Sequence, residues 1–383
     1  MSSVIARIKV HTHCNDLGGK IWNPSIRWTK KYAVFVTLHD SADKVGLGEC
    51  WCFDAAPDAL VAFLRTEVIP HFLGQALVDV PGIASRLFEK ATLTARHGML
   101  ASALAGVDIA MWDLKAQHEN APLWSSMNKG GTGIAQLYAS GGLYGDGKTT
   151  NDLCTEMSAF AASGFALSKM KIGGLSLQED IARVNAVLTA LPKTAKLTLD
   201  GVYSYSSDDA LRIFEALPAE RIEAFQSPTK SSDYKGMARL TKAGVPVMAT
   251  EAEYRPELHD RLIEEVGVPF LQTAPVAIGG VSQIAVLANK VTGTQTRLSL
   301  EVSSTAIAFM AAVHAAAAHP AVAHVEYHTI HTVFFDKLEL NQRKDAPSRA
   351  TPPDKPGLGI SLPKTGVSVA FEDVSSTSPK DAA

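Results

Sequence analysis

Cysteine is scarce in this chain: Cys14, Cys50, Cys52 and Cys154 are the only four among 383 residues. So few cannot staple a protein of this size, which excludes a disulfide scaffold and leaves stability to an apolar core. Cys50-x-Cys52 has no second pair to complete a metal site and reads as small buried residues on a strand. Charge of one sign is lacking too. Lysine and arginine number 36 against 39 acidic residues, a net charge of −3, which gives no general attraction to nucleic acid or an anionic membrane. No long apolar run is present either. The most apolar stretch, Thr305 to Ala318, is broken by His314 and followed by His319 and Pro320. It is too short to span a bilayer and reads as a buried helix. The opening residues MSSVIARIKVHTH contain no signal-peptide core. A cytoplasmic protein without nucleic-acid or membrane partners is expected.

What is present suits two or three domains. IARIKVHTH and KYAVFVTLHD read as strands separated by a loop from Asn15 to Pro24, and a short GLGEC segment follows. Helical patterning then runs from Pro57 to Gln117. In ALAGVDIAMWDLKAQ, Leu104, Val107, Met111 and Leu114 make an apolar face at helical spacing. This α+β unit ends near Gly130. Beyond it, β-prone segments alternate with longer helical ones: AQLYASG, ALSKMKI, AKLTLD, RIEAFQ, PVMAT, PFLQTA, TRLSLE and HVEYH. Alternation implies a parallel sheet, and eight segments suit an α/β fold closed as a (β/α)8-type barrel. PGLGISL reads as a last strand, and the polar tail EDVSSTSPKDAA as a segment without fixed structure.

Chemistry in such a barrel sits at the C-terminal ends of strands. The second segment ends Lys169-Met170-Lys171, whose alternation turns both ammonium groups to the barrel mouth. The next three end at Asp200, Gln226 and Glu251. The spacings from Lys171 onward are 29, 26 and 25 residues, each one strand-plus-helix unit. Taken singly, Lys-x-Lys is more often a solvated face and a strand-end Asp a helix N-cap. The shared period joins them. Oxygen donors from three adjacent strands suit Mg²⁺ or another hard divalent cation such as Mn²⁺, and the lysine pair supplies a base.

These segments together resemble the enolase superfamily, in its mandelate racemase and muconate lactonizing enzyme branch, from about residue 30 to 362. The resemblance rests on ALAGVDIAMWDLKAQ, GFALSKMKIGG, LTLD, PVMATE, IGGVSQ and PPDKPGLGISL. It implies a modified (β/α)7β barrel with an α+β capping domain made from both chain ends, in a homo-oligomer. The expected divisions are a cap at 1–130, a barrel at 131–340, a return to the cap at 341–371 and a tail at 372–383. By position, Lys171 is the base that takes a proton beside a substrate carboxylate, and Lys169 is its partner near that carboxylate. Asp200 and Glu251 are metal ligands. Departures from the pattern fall at Gln226, where the family has Glu, at Val202, where it has Asn, at Ala274, where it has a second base or its partner, and at Glu301 on the seventh strand.

Further candidates come from the eighth segment. In His324-Val-Glu326-Tyr-His328 the even positions share a face, so Glu326 is expected against the substrate and His328 as a catalytic group. Trp22 is expected at the substrate, with Trp28 and Trp51 as other cap aromatics. Because Ala274 cannot transfer a proton, a racemase lacks its second base. An elimination needs less, with Lys171 serving both steps of a syn elimination or with His328 or Glu301 protonating the leaving group from across the barrel. This favours dehydration of a hydroxy or sugar acid over racemisation, epimerisation or cycloisomerisation. Two other classes stand beside this reading. One is a non-catalytic member of the superfamily. The other is a P-loop NTPase, because Gly142-Leu-Tyr-Gly-Asp-Gly147-Lys148-Thr149 satisfies G-x-x-x-x-G-K-[ST].

Overall fold

A computed structural model describes residues 3–53, 55–338, 341–343 and 346–375. The chain opens with an antiparallel sheet of β1 (Ile5–Trp22), β2 (Arg27–Asp40) and β3 (Val45–Cys50). The expected loop from Asn15 to Pro24 is mostly strand. Pairing lapses between Asp16 and Ile21, where Gly18 and Gly19 adopt positive φ, and resumes at Ile21–Trp28 and Trp22–Arg27. Glycine takes that backbone without strain, so the polar cluster makes a bulged hairpin rather than ending the strand. Helix His97–His118 packs directly on β3. A Cβ at Gly46 would lie 2.1 Å from the Ala110 carbonyl oxygen and one at Gly48 2.0 Å from that of Gly106. The GLGEC segment thus lets a strand meet a helix backbone.

The barrel consists of β4 (Ala135–Ser140), β6 (Leu167–Lys171), β7 (Lys196–Asp200), β8 (Ile222–Gln226), β9 (Val247–Ala249), β10 (Phe270–Thr273), β11 (Arg297–Leu300) and β12 (Val322–His328). A two-residue β5 (Tyr144–Gly145) pairs with β1 instead. All eight barrel segments form where the sequence places them. Neighbours pair in parallel order, and β12 closes the ring on β4, with Glu326 opposite Tyr138 and His328 opposite Ser140. Helices link the eight strands, and among the described residues only a 3-10 turn (Phe335–Lys337) follows β12 and no α-helix does, the (β/α)7β arrangement. Helix Ala306–Ala318 is buried throughout, as its composition requires. Among the described residues no helix is long and apolar enough to cross a membrane.

After the barrel, β13 (Asn341–Arg343) and β14 (Ala346–Thr351) form a hairpin whose second strand pairs with β4. PGLGISL does not become a strand. Gly357, at φ +79°, exchanges backbone hydrogen bonds with Ala121 and Leu123, and Leu358 N–H donates to Asp113 at 2.8 Å. The segment is a strap over the long cap helix. The last strand is β15 (Ser368–Val374), which joins β1 and so builds the cap from both chain ends. Residues 372–374, expected to lack structure, are therefore strand, with Glu372 3.3 Å from Lys9 and 3.5 Å from Arg7. Residues 376–383 of that expected tail lie outside the described residues.

Cap and barrel are locked by buried polar groups. Glu49 on β3 accepts hydrogen bonds from Ser304 Oγ, Thr305 Oγ1 (2.6 Å) and Ala308 N–H (3.0 Å), at the start of helix Ala306–Ala318. Its carboxylate fills a helix N-terminus, where unpaired N–H groups and the dipole favour an anion. Asp108 on the long cap helix similarly accepts from Ser282, to which Trp112 also donates.

Candidate active site

The C-terminal ends of β6 to β12 converge beneath the cap around a cavity of about 140 Å³. Lys171, Asp200, Glu251, Glu301, Glu326 and His328 line it, together with Trp28 and Phe53 from the cap. Backbone is strained there. Phe53, Val202, Tyr203 and Ser227 all line the cavity and all adopt left-handed φ, between 44° and 61°. Non-glycine residues in such conformations cost about 1–3 kcal/mol each and gather at functional sites.

Lys169 is almost completely buried. Its ammonium lies 2.6 Å from Glu326, 3.1 Å from Gln226 Oε1 and 3.6 Å from Asp200. Burial opposes its charge, but Glu326, with Tyr138 and Asp200, holds its pKa well above the usual lysine value. Each lysine was expected to make the other a base; Lys169 is instead a fixed cation. Lys171 reaches the cavity and contacts Asp200. Asp200 also accepts from the Val202 N–H at 3.1 Å.

Gln226 differs from expectation. It was read as a metal ligand, yet its Oε1 accepts from Lys169 and its Nε2 donates to Glu251 at 2.9 Å. An amide between an ammonium and a carboxylate points its oxygen to the first and its NH₂ to the second, so Gln226 bridges Lys169 and Glu251. Among the described residues, no three His, Cys, Asp or Glu side chains converge on one metal position. Asp200 and Glu251 nevertheless fit a hard cation. Both put carboxyl oxygens on the one cavity, and burial, then the neighbouring Asp200, raises the Glu251 pKa. Mg²⁺ is commonly held by one or two carboxylates, with waters and substrate completing its shell.

On the other side of the ring, Glu301 follows β11 and its Oε2 has no hydrogen-bond partner. Burial, Glu326 and Glu251 push its pKa up to about 8, which favours the protonated carboxyl. Glu326 faces inward as alternation requires, paired with Lys169 and accepting from Val302 N–H at 3.1 Å. His328 accepts at Nδ1 from the N–H groups of Ile330 and His331, which leaves its proton on Nε2. Burial, with the Lys31, Lys169 and Lys171 charges, holds its pKa well below the usual value. It is a fixed neutral donor and a poor proton source.

Trp22 does not line the cavity. It stacks on Tyr144 with centroids 4.5 Å apart, because the hairpin irregularity carries it past the barrel mouth to β5. Trp28 takes that place. Sequence reasoning also missed Lys31, which is buried with its Nζ 4.8 Å from the Phe53 ring centre. Burial lowers its pKa to about 8 against the raising effects of Glu301, Glu326 and Glu49. A skipped pairing in the hairpin turns both Trp28 and Lys31 inward, three residues apart. No alternation pattern signals that.

The Walker-like segment binds its own anion. Glu156 accepts from Gly142 N–H at 2.9 Å and contacts Lys148. Lys148 also donates to the Leu143 carbonyl at 2.9 Å. A phosphate would have to displace that carboxylate, so the P-loop reading fails on geometry.

Comparison with known proteins adds an independent line. Residues 26–128 match the model described as mandelate racemase/muconate lactonizing enzyme, N-terminal domain, and residues 152–365 match enolase C-terminal domain-like. Arabinonate dehydratase of Saccharolobus solfataricus is 24% identical over 330 residues, 86% of this chain and 88% of that protein. D-galactarolactone cycloisomerase of Agrobacterium fabrum is 26% identical over 374 residues, 94% of this chain and 96% of that one. The crystal structure of L-talarate/galactarate dehydratase from Salmonella typhimurium LT2 superposes with a TM-score of 0.85. That match covers 98% of this chain and 94% of the other, at 20% identity.

Proposed function

The chain belongs to the mandelate racemase/muconate lactonizing enzyme branch of the enolase superfamily, and from that premise we propose that it dehydrates a small hydroxy acid by taking the proton beside its carboxylate with Lys171. That it is an enzyme, a lyase or isomerase, follows from its family and relatives. The observation that carries the finer reading is one cavity lined by Lys171, by Glu301 and by the side chains of Asp200 and Glu251. Its volume of about 140 Å³ equals roughly five water volumes, which suits a short hydroxy acid.

The roles follow from position. Lys171 leaves its contact with Asp200 and, as the free amine, accepts the α-proton. The C–H electron pair moves onto the carboxylate to give an enediolate, and its return forms the C=C bond as the β C–O bond breaks. Glu301 gives its proton to the departing hydroxyl, releasing water, and the enol product becomes the 2-keto acid. Lys169 stays charged and holds the field that favours negative charge on the substrate carboxylate. Asp200 and Glu251 would hold a divalent cation such as Mg²⁺, which when bound supplies Lewis-acid stabilisation of that same carboxylate. Gln226 positions Lys169 and Glu251. β6 and β11 stand three places apart round the ring of eight, so base and acid approach from different sides. Ala274, buried after β10, offers no second base for racemisation.

Product mass tests the reaction type. A screen of hydroxy acids with Mg²⁺ should give a keto acid lighter than its substrate by one water. Clean interconversion of α-epimers without water loss would replace this reading with racemisation.

A further inference from the structure

His331, in the loop after β12, and Trp28, on the cap strand β2, meet edge to face with ring centroids 5.5 Å apart. Both line the cavity, and both are almost wholly buried, at 1% and 3% exposure. Neither Nδ1 nor Nε2 of His331 has a hydrogen-bond partner, and neither does Trp28 Nε1. Leaving buried polar atoms unpaired costs about 1–3 kcal/mol each, so such a cluster in one cavity wall is a place where a ligand completes the bonding. The neighbouring histidine shows the contrast. His328 has its Nδ1 tied to two backbone N–H groups, while His331 keeps both nitrogens free.

We propose that Trp28 and His331 form a hydroxyl-reading subsite, made jointly by cap and barrel, that selects acids carrying a hydroxyl beyond the reacting carbons. This rests on the hydroxy-acid reading above and names the residues that would set its specificity. The donor–acceptor count picks the group. Trp28 offers one N–H, and a neutral imidazole offers one N–H and one lone pair. A hydroxyl donates one hydrogen and accepts through two lone pairs, so it can accept from one ring and donate to the other. Burial, together with the charges of Lys31, Lys171 and Lys169, keeps His331 neutral, so it is no anchor for a second carboxylate. Such a group would also share the cavity with Glu301 and Glu326. A methyl group would leave all three nitrogens unpaired, the circumstance in which a site built for a hydroxyl discriminates most strongly.

The test is binding calorimetry in a Lys171→Ala background, which halts turnover, using threonate and 4-deoxythreonate with Mg²⁺. The two acids differ only in the last hydroxyl. Threonate should bind roughly tenfold tighter or more. Trp28→Phe keeps the ring and loses its N–H, and should reduce that preference roughly three- to tenfold. His331→Phe should do the same, and His331→Gln, which restores a donor and an acceptor, should recover part of it. Equal affinity for the two acids, binding of neither, or a preference untouched by both phenylalanine variants would overturn the proposal. Because the background performs no proton transfer, the outcomes separate. Exchange by the parent enzyme without a hydroxyl preference removes this subsite alone, and a preference without exchange removes the catalytic reading alone.

Discussion

At the scale of single residues, Gln226 and Glu301 decide what the site can do. Gln226 is a neutral amide where the resemblance led us to expect a carboxylate, and it bonds Lys169 with one end and Glu251 with the other. Gln226→Glu would still accept from Lys169 but would add a charge beside Glu251. Cation affinity rises with ligand charge, so calorimetry should show Mg²⁺ binding tightened by roughly tenfold or more; unchanged affinity would mean that the ion sits elsewhere. Glu301 makes the pH prediction. Its pKa is raised to about 8 by burial, Glu326 and Glu251, and its proposed role needs the protonated form. Dehydration should therefore fall as pH rises through about 8, and Glu301→Gln should abolish that limb. The same variant should slow water loss about 10²–10⁴-fold, the usual worth of a general acid, while α-proton exchange persists. Sequence alone located Lys169, Lys171, Asp200, Glu251, Glu301, Glu326 and His328 at one barrel mouth, because strand period places side chains without knowledge of the fold's details. It could not say that Lys169 is paired with Glu326 or that Gln226 bridges Lys169 and Glu251. Those outcomes depend on which partner each group finds after burial.

At the scale of elements, the barrel strands were legible because most of the apolar β segments are followed by a helix with its own capping signal. Helices Thr150–Ala162 and Leu177–Ala190 both begin with a reciprocal capping box, at Thr149 and Ser176. The two misread elements fail for opposite reasons. In the β1–β2 hairpin, glycine and asparagine look like a loop but support a bulge inside a strand. In PGLGISL, alternating apolar residues look like a strand, but Gly357 follows the contour of the long cap helix. The strap depends on Asp113, whose two oxygens accept from Leu47 N–H at 2.9 Å and Leu358 N–H at 2.8 Å. In Asp113→Asn one of those buried N–H groups must face an NH₂ donor, at a cost of about 1–3 kcal/mol. Chemical denaturation should record that loss, and proteolysis should reach residues 352–362 sooner. An unchanged midpoint would show that the strap is held by packing alone.

At the scale of the whole molecule, the active site exists only where cap and barrel close on each other. Trp28, Lys31 and Phe53 come from one side, the carboxylates and Lys171 from the other. Glu49 ties the two together by filling the start of helix Ala306–Ala318. Glu49→Gln would turn an NH₂ toward hydroxyl and amide donors. The expected result is a stability loss of about 1–3 kcal/mol with faster hydrogen exchange at the Ala308 amide; full protection there would show that the latch is dispensable. The central claim concerns Lys171, and solvent deuterium incorporation tests it most directly, since exchange detects proton abstraction whatever product follows. With Mg²⁺ and a panel of short hydroxy acids, the parent enzyme should place deuterium beside the carboxylate of at least one acid. Lys171→Ala, folded and still binding Mg²⁺, should lose that exchange by about 10²-fold or more. Exchange at the parent rate in Lys171→Ala would contradict the account.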